Sequence, residues 1–174
     1  MQKGAARPGT GDYDGIVAEM WEDKTQVDYT NFQTNKPEYL KSDKYKGDCV
    51  QMTGGDYESR LQWTNKKCDS GDKKALCKMR AKNNPEPPDV PELPKDPNAE
   101  ENKRFCGSEV WRHYREDPEK PGRCYYFGTP KATFEQQRQQ CVDLGGTLVS
   151  VNSPSENNFI TEVLNLAVVS RCLL

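Results

Sequence analysis

Seven cysteines are the residues with the most definite chemistry in this chain of 174 residues. Cysteines with no obvious redox or metal motif are either inert buried thiols or partners in disulfides. The turn-rich sequence around these cysteines favours disulfides formed in an oxidising compartment. Because the count is odd, at least one cysteine is unpaired, bonds to another chain, or has lost its partner.

The residues that could act in catalysis form no recognisable motif. His113 is the only histidine, and no serine or cysteine stands near it in a known catalytic arrangement. Aspartate and glutamate together number 27, so finding two carboxylates close together is not evidence of glycoside hydrolysis. We therefore expect a protein that is not an enzyme.

Positive charges cluster between residues 73 and 82, where the sequence has Lys73, Lys74, Lys78, Arg80 and Lys82. Such a run fits a site for a sulfated glycan or a phosphate, and it more often forms a solvated face. The formal net charge of the whole chain is −2. No global basic field therefore attracts nucleic acid.

The composition points to a small extracellular module. Only 33% of the residues are hydrophobic and 30% are charged, so the core is thin and disulfides must add stability. No run of about 20 apolar residues predicts a membrane span. The first 15 residues lack the apolar core of a secretory signal, and we therefore expect a piece of a longer, secreted protein.

A proline-rich segment divides the chain. Residues 83–98 contain six of the twelve prolines, and proline both lacks a backbone donor and fixes φ. We predict an extended acidic spacer here, in preference to a proline-rich docking motif. The predicted organisation is one domain at residues 1–82, a linker at 83–104 and a second domain at 105–174.

Patterns of strand and helix alternate after the linker, whereas residues 1–80 predict short strands and loops. Residues 124–127 are typical of an aromatic strand, and residues 147–151 predict a buried one. Thr133, with a glutamine three residues later, predicts a helix over 133–144 that ends at two glycines. A serine followed by proline predicts a second helix over 154–165.

These residues resemble the C-type lectin-like domain family. Similarity to the N-terminal half of that domain is carried by Cys106, Trp111, Cys124–Phe127, Thr133–Glu135, Cys141–Val151, Ser155–Glu156 and Phe159–Ile160. Similarity to the C-terminal half is carried by Trp21–Lys24, Tyr29–Phe32, Asn35–Pro37, Asp48–Met52, Trp63, Cys68 and Leu76–Lys78. The C-terminal half thus precedes the N-terminal half along the chain.

The resemblance implies an α+β, disulfide-stabilised fold of two half-modules. The first half-module is mostly strand and loop, and the second has the order β-α-β-α. We expect the halves to belong to two consecutive modules and to share no core. In the alternative arrangement they pack together as one circularly permuted domain, although the central strand that the family places between the halves is absent.

The same resemblance implies two disulfides, Cys49–Cys68 and Cys106–Cys124. In the family, the cysteines corresponding to Cys77 and Cys141 each bond to the opposite half of their own module. They are therefore without partners in separate half-modules, and they meet each other in a permuted domain. Cys172 matches nothing in the family pattern.

Sugar-binding members of the family hold calcium with a Glu-Pro-Asn or Gln-Pro-Asp motif and a later Trp-Asn-Asp, and the sugar then coordinates the same ion. The matching residues here are Lys36-Pro37-Glu38 and Trp63-Thr64-Asn65. Calcium requires about six to eight oxygen ligands, and an ammonium group has no lone pair to give. We therefore expect no calcium or other cofactor, and we expect Pro37 and Trp63 to shape the loop.

The expected function is ligand binding by an extracellular module of the C-type lectin type. Carbohydrate recognition is the role that the family implies, and with the metal ligands substituted we expect calcium-independent binding of a glycan or a protein. No nucleic acid is expected as a partner. The alternative is a structural or adhesive spacer, in which tandem modules of an extracellular protein keep its other parts apart.

Overall fold

Strands from both sides of the proline-rich segment form one sheet. The computed structural model describes residues 20–34, 36, 48–52, 62–69, 71, 73–81, 96–128, 130–166 and 172–173. The strands are β1 (Asp48–Met52), β2 (Trp63–Lys67), β3 (Lys74–Arg80), β4 (Arg112–Tyr114), β5 (Arg123–Phe127), β6 (Thr147–Leu148) and β7 (Cys172–Leu173). The helices are α1 (Ala99–Cys106), α2 (Phe134–Asp143) and α3 (Pro154–Leu166). The strand order is β2-β1-β7-β3-β5-β4, and β6 also pairs with β3.

The antiparallel pair of β3 and β5 joins the two parts of the chain. Five residue pairs are in register, from Leu76 opposite Phe127 to Arg80 opposite Arg123. Residues 75–79 of β3 are all buried, which is typical of a strand covered on both faces. Strand β3 is therefore an interior strand of the joined sheet.

The expectation that the two parts share no core is wrong. Two hydrophobic clusters pack against the described sheet, and each draws residues from both sides of the proline-rich segment. Leu76 and Tyr125 belong to one cluster, whereas Cys77 and Tyr126 belong to the other, because successive side chains of a strand point to opposite faces. The described α+β architecture is the permuted arrangement, in which each part supplies the apolar surface that the other lacks.

Strand β7 explains how the joined sheet is closed in its middle. It pairs antiparallel with the end of β1 and parallel with the start of β3. The absence of the family's central strand argued against the permuted arrangement. Two residues of the described chain, Cys172 and Leu173, pair with both β1 and β3 and so link the β1–β2 hairpin to the rest of the sheet.

Three disulfides connect the described elements. Cys49–Cys68 and Cys106–Cys124, the pairs that the resemblance implies, have Cα–Cα distances of 5.1 and 5.8 Å. The third joins Cys77 of β3 to Cys141 of α2, with a Cα–Cα distance of 5.3 Å, inside the limit of about 7 Å for such a bond. The side chain of Cys172 lies outside the described residues.

The two helices predicted from the sequence are confirmed. Thr133 caps α2, because its Oγ1 accepts a hydrogen bond from Gln136 N at 3.4 Å while Gln136 Oε1 accepts one from Thr133 N at 3.0 Å. Gly145, at φ 81°, follows the helix in the left-handed region. Ser153 Oγ accepts a hydrogen bond from Glu156 N at 3.1 Å at the start of α3. Among the described residues, no helix is long and apolar enough to cross a membrane.

Helix α1 begins at Ala99, inside the segment 83–104 that the sequence predicts as the linker. Asp96 fixes the start of α1: its carboxylate accepts hydrogen bonds from Asn98 N at 2.9 Å and from Asn102 Nδ2 at 2.6 Å, and it lies 3.3 Å from Arg112 Nε. The helix is mostly polar, and of its residues Asn102 and Cys106 are buried. Residues 83–95 lie outside the described residues.

Candidate functional site

Trp63 is the centre of an aromatic cluster at the start of β2. Its side chain is fully buried, and the rings of Trp21, Tyr29 and Phe32 lie edge-on to it with centroids 5.5 to 5.7 Å away. Its Nε1 donates a hydrogen bond to Asn157 Oδ1 at 3.1 Å. A buried tryptophan with its N–H satisfied anchors its surroundings and offers no surface to a ligand.

The segment before the predicted site is tied to Trp63 by its backbone as well. Trp63 N donates a hydrogen bond to Asn31 O at 2.7 Å, and Gln33 N donates one to Trp63 O at 3.0 Å. A further bond from Lys36 N to Gln33 O at 2.9 Å turns the chain. This loop base, residues 31–34 and 36 against Trp63, fixes the position of the chain at Lys36. Recognition residues commonly lie on a loop that a rigid scaffold positions in this way.

The structure places three of the six predicted site residues at the loop base. Lys36 is partly exposed after the turn, and Trp63 and Thr64 are buried in β2. The backbone of Asn65 continues β2. The other predicted groups lie outside the described residues, namely Pro37, Glu38 and the side chain of Asn65.

The described side chains at the loop base do not fit a calcium ion. Calcium takes about six to eight oxygen ligands, several of them anionic. The ammonium group of Lys36 donates hydrogen bonds and repels a cation. Thr64 is only 4% exposed, so its hydroxyl group is not available to an ion that also holds a ligand. These two positions therefore do not supply a calcium site.

A buried polar network connects β3 to the later part of the chain. Lys78 Nζ lies 2.5 Å from Glu156 Oε1, and both side chains are less than a tenth exposed. Glu156 also accepts hydrogen bonds from the Tyr125 hydroxyl at 2.5 Å and from Asn152 N at 2.9 Å. Lys78 Nζ donates to Ser150 O at 2.8 Å. Because each buried charge has several partners, the cost of removing it from water is offset.

Tyr125 is held as a hydrogen-bond donor in this network. Burial, followed by the charge of Glu156 and the hydrogen bond to it, raises the pKa of Tyr125 well above its ordinary value. The phenol therefore stays protonated at physiological pH and keeps donating to Glu156.

Asp23 extends the network to the turn that carries Trp21. Ser150 Oγ donates to Asp23 Oδ2 at 2.6 Å, and Thr25 N and Oγ1 donate to Asp23 Oδ1 at 3.0 and 2.6 Å. Burial, the largest single influence, raises the pKa of Asp23, but the hydrogen bonds from Ser150 and Thr25 and the charge of Lys78 together lower it below its ordinary value of 3.8. The folded protein therefore favours the ionised carboxylate.

We expect Asp23→Asn to lower the free energy of unfolding at pH 7 by about 1 kcal/mol, a charged hydrogen bond discounted for partial exposure. Because folding lowers the pKa of Asp23, its contribution is fully present above the unfolded pKa. It is lost as the pH falls through the folded pKa, below about pH 4. Urea unfolding from about pH 2 to pH 7 should show a flatter acid limb for Asp23→Asn than for Asp28→Asn, an exposed carboxylate in the same segment. Identical profiles for the two variants would contradict the role of Asp23.

Two groups of residues resemble the pairs of side chains found in catalytic sites, but neither group is accessible to a substrate. Lys78 Nζ lies 3.3 Å from Ser150 Oγ, but the lysine is paired with Glu156 and Ser150 is fully buried. The His113 side chain is 3% exposed, its Nδ1 lies 3.1 Å from Glu101 Oε1, and its ring stacks on Phe105. A nucleophile needs an accessible base and a place for substrate, and neither group has that place.

The basic run between residues 73 and 82 is not one exposed face. Lys73 is 3% exposed and Lys78 is 8% exposed, whereas Lys74 is half-buried and Arg80 is exposed. Lys82 lies outside the described residues. The run is divided because most of it is an interior strand, so its described residues do not form one surface for a polyanion.

The buried network is the feature of this region that sequence reasoning missed. A lysine between apolar residues in a strand, as in Leu76-Cys77-Lys78-Met79, is the signal that could have suggested a buried cation with an acidic partner. Its partner Glu156 lies in the first turn of α3, where its backbone N–H also donates to Ser153 Oγ.

Comparison with known proteins finds relatives that cover most of this chain. The chain is 22% identical to human C-type mannose receptor 2 over 160 residues, which are 92% of this chain and 9% of the receptor. The rat protein of the same name matches with the same identity and coverage. The mouse low affinity immunoglobulin epsilon Fc receptor is 36% identical over 55 residues, 32% of this chain and 15% of that receptor. No family model and no solved structure matches the chain, and the chain spans a small part of each relative.

Proposed function

We propose that this chain, a relative of C-type lectin-like proteins with an α+β, disulfide-linked fold, is part of an extracellular protein and binds a ligand through the loop at Lys36 without calcium. The observation that carries the proposal is the loop base, where Trp63 is buried under three aromatic rings and its backbone holds both Asn31 and Gln33. Three disulfides support an oxidising, extracellular setting. The relatives are receptors by name, in keeping with binding.

The chemistry proposed for this loop is direct hydrogen bonding. Lys36 supplies an ammonium donor and Glu38 a carboxylate acceptor, on either side of Pro37. A donor and an acceptor so close in sequence suit the hydroxyl groups of a glycan, which both donate and accept. A protein surface with polar side chains offers the same chemistry. The name of C-type mannose receptor 2 favours the glycan.

The domain assignment is part of the same proposal. Residues 1–82 correspond to the C-terminal half of a C-type lectin-like domain, residues 83–104 include the linker, and residues 105–174 correspond to the N-terminal half. A match of 160 residues to one receptor supports this order, because it includes both parts of the chain. The shared sheet and the bond between Cys77 and Cys141 support the proposal that the two halves act together.

A glycan array probed with and without chelator tests the proposal. We expect the same glycans to bind in about 5 mM calcium and in excess chelator, and we expect Lys36→Gln to weaken binding about tenfold, the effect of one charge-assisted hydrogen bond. Lys131→Gln, which removes an exposed charge before α2, is the matched control and should leave binding unchanged. An array without any bound glycan would refute the glycan and leave a protein as the ligand.

Thermal melting gives a second readout of the same prediction. A ligand that binds only the folded state adds about 2.7 kcal/mol at about 100 times its Kd, which raises the Tm of a small domain by several degrees. We expect calcium to raise the Tm by less than about 1 °C. A shift of several degrees that Glu38→Gln abolishes would show that the loop holds calcium, against the proposal.

A further inference from the structure

The hairpin formed by α1, β4 and β5 carries two arginines that converge on one aromatic ring. The guanidinium carbon of Arg104 lies 5.1 Å from the centroid of Phe105, and that of Arg115 lies 5.8 Å from it. Both arginines are exposed, and Phe105 is half-buried. Two like charges are thus held around the same ring, at distances where a cation is attracted to its face.

The ring rests on a rigid base. His113 stacks on Phe105 with centroids 4.6 Å apart, and a Cβ on Gly122 would lie 2.2 Å from His113 Nε2, so the imidazole packs directly on the backbone there. The disulfide Cys106–Cys124 fixes the next residue of α1 to β5. The Phe105 ring that carries the two arginines is therefore held rigidly by His113, the backbone at Gly122 and the disulfide.

Three of the neighbouring acids have closer partners than the arginines, although the charge of Arg115 also acts on Asp117. Glu101 faces His113 Nδ1, Glu109 lies 4.0 Å from Lys103, and Asp117 lies 3.3 Å from Lys120. Within the part of the chain that the structure describes, neither Arg104 nor Arg115 has an ion pair. The negative C-terminal end of the α1 dipole stabilises a cation at Arg104. Arg115 follows β4, where no helix dipole stabilises its charge.

We propose that Arg104 and Arg115, supported by Phe105, form an anion-binding site for the sulfate or carboxylate groups of an acidic glycan. A guanidinium over a ring keeps its in-plane N–H donors available, and their fork matches the oxygens of both groups. Two such forks on one ring suit a chain with closely spaced anionic groups. The site lies on the described hairpin and shares no residue with the loop at Lys36.

An acidic peptide is disfavoured by the edge of the sheet. Peptides commonly bind by adding a strand to an exposed edge, and β4 is the last strand in the order. Its His113 N–H, however, donates to Asn102 Oδ1 at 2.8 Å, so a side chain of α1 already occupies this edge. Recognition at this hairpin therefore relies on side chains. Such a site suits an anionic sugar better than a peptide that binds through its backbone.

Fluorescence anisotropy with a labelled, sulfated oligosaccharide prepared from heparin tests the site. We expect binding at low salt that weakens as salt rises, and we expect Arg104→Gln and Arg115→Gln each to raise the Kd about tenfold. Arg115→Lys keeps the charge but not the fork and should retain part of the affinity. Lys131→Gln, which removes one exposed charge outside the hairpin, should change the Kd less than about twofold.

Three results would overturn the proposal. The first is the absence of binding by the full chain. The second is an equal effect of Lys131→Gln and the two arginine variants on the Kd, which would mean that the oligosaccharide is attracted by the overall charge and not by a specific site. The third is competition by polyglutamate as strong as by the unlabelled oligosaccharide at equal charge, which would mean an acidic peptide. Lys36→Gln should leave this binding unchanged, so that failure here and failure of the loop proposal are distinguishable.

Discussion

Replacing Cys77 and Cys141 together by alanine is expected to lower the free energy of unfolding by about 4 kcal/mol. The bond spans 64 residues, and the restriction that it places on the unfolded chain gives this magnitude for a loop of that length. Because small domains have only about 5 to 15 kcal/mol of stability, the variant should be close to unfolding. Urea titration without reductant, followed by the fluorescence of the buried tryptophans, measures the effect.

The matched control removes Cys106 and Cys124, which are separated by 18 residues and should contribute about 1 kcal/mol less. A protease site inserted between Pro88 and Asp89 adds a qualitative test. After cleavage, the oxidised chain should run as one species without reductant and as two with it. Separation of the two pieces without reductant would mean that Cys77 and Cys141 are not bonded, and the shared sheet would lose its main covalent support.

Lys78→Met is expected to lower the free energy of unfolding by about 3 to 5 kcal/mol, because it leaves the buried Glu156 carboxylate without its cation. Urea unfolding at pH 7 measures the loss. Lys74→Met, a half-buried lysine of the same strand, is the control and should change stability by less than about 0.5 kcal/mol.

Combining Lys78→Met with Glu156→Gln should recover most of the loss. The glutamine removes the unpaired charge. Because Tyr125 and Asn152 donate to different oxygens of Glu156, the glutamine Oε1 can keep the bond from Asn152 N while its Nε2 donates to the Tyr125 hydroxyl oxygen. Replacing both members of a buried pair is often neutral, whereas removing one is not. If the double variant is no more stable than Lys78→Met alone, the loss comes from packing around Lys78 and not from charge.

Local signals in the sequence predicted local structure well. The cap at Thr133 and the serine and proline before α3 placed both helices within one or two residues, because capping depends on neighbours along the chain. The family resemblance supplied the disulfide-linked α+β class. Helix α1 escaped prediction, since it depends on Asp96 contacting Asn102 and Arg112, and these contacts leave no period in the sequence.

Long-range pairing could not be predicted in the same way. The resemblance orders the two halves along the chain but does not say which segments meet in space, and the expectation of separate halves followed from that order. The pairing of Leu76 with Phe127 and the bond from Lys78 to Glu156 exist only once the halves are together. At the candidate loop, the family motifs in the sequence predicted the site residues. The burial of Trp63 and Thr64 could be seen only in the structure.

The bond between Cys77 and Cys141 also decides how this chain responds to mechanical tension. A pull applied at residue 20 and at residue 173 passes through the disulfide, because the bond is a shorter covalent route than the 64 residues that it spans. At about 3.4 Å per residue, roughly 220 Å of chain is thereby shielded from the load. The hairpin of α1, β4 and β5 lies within that shielded length and can keep its fold while the rest of the domain is stretched.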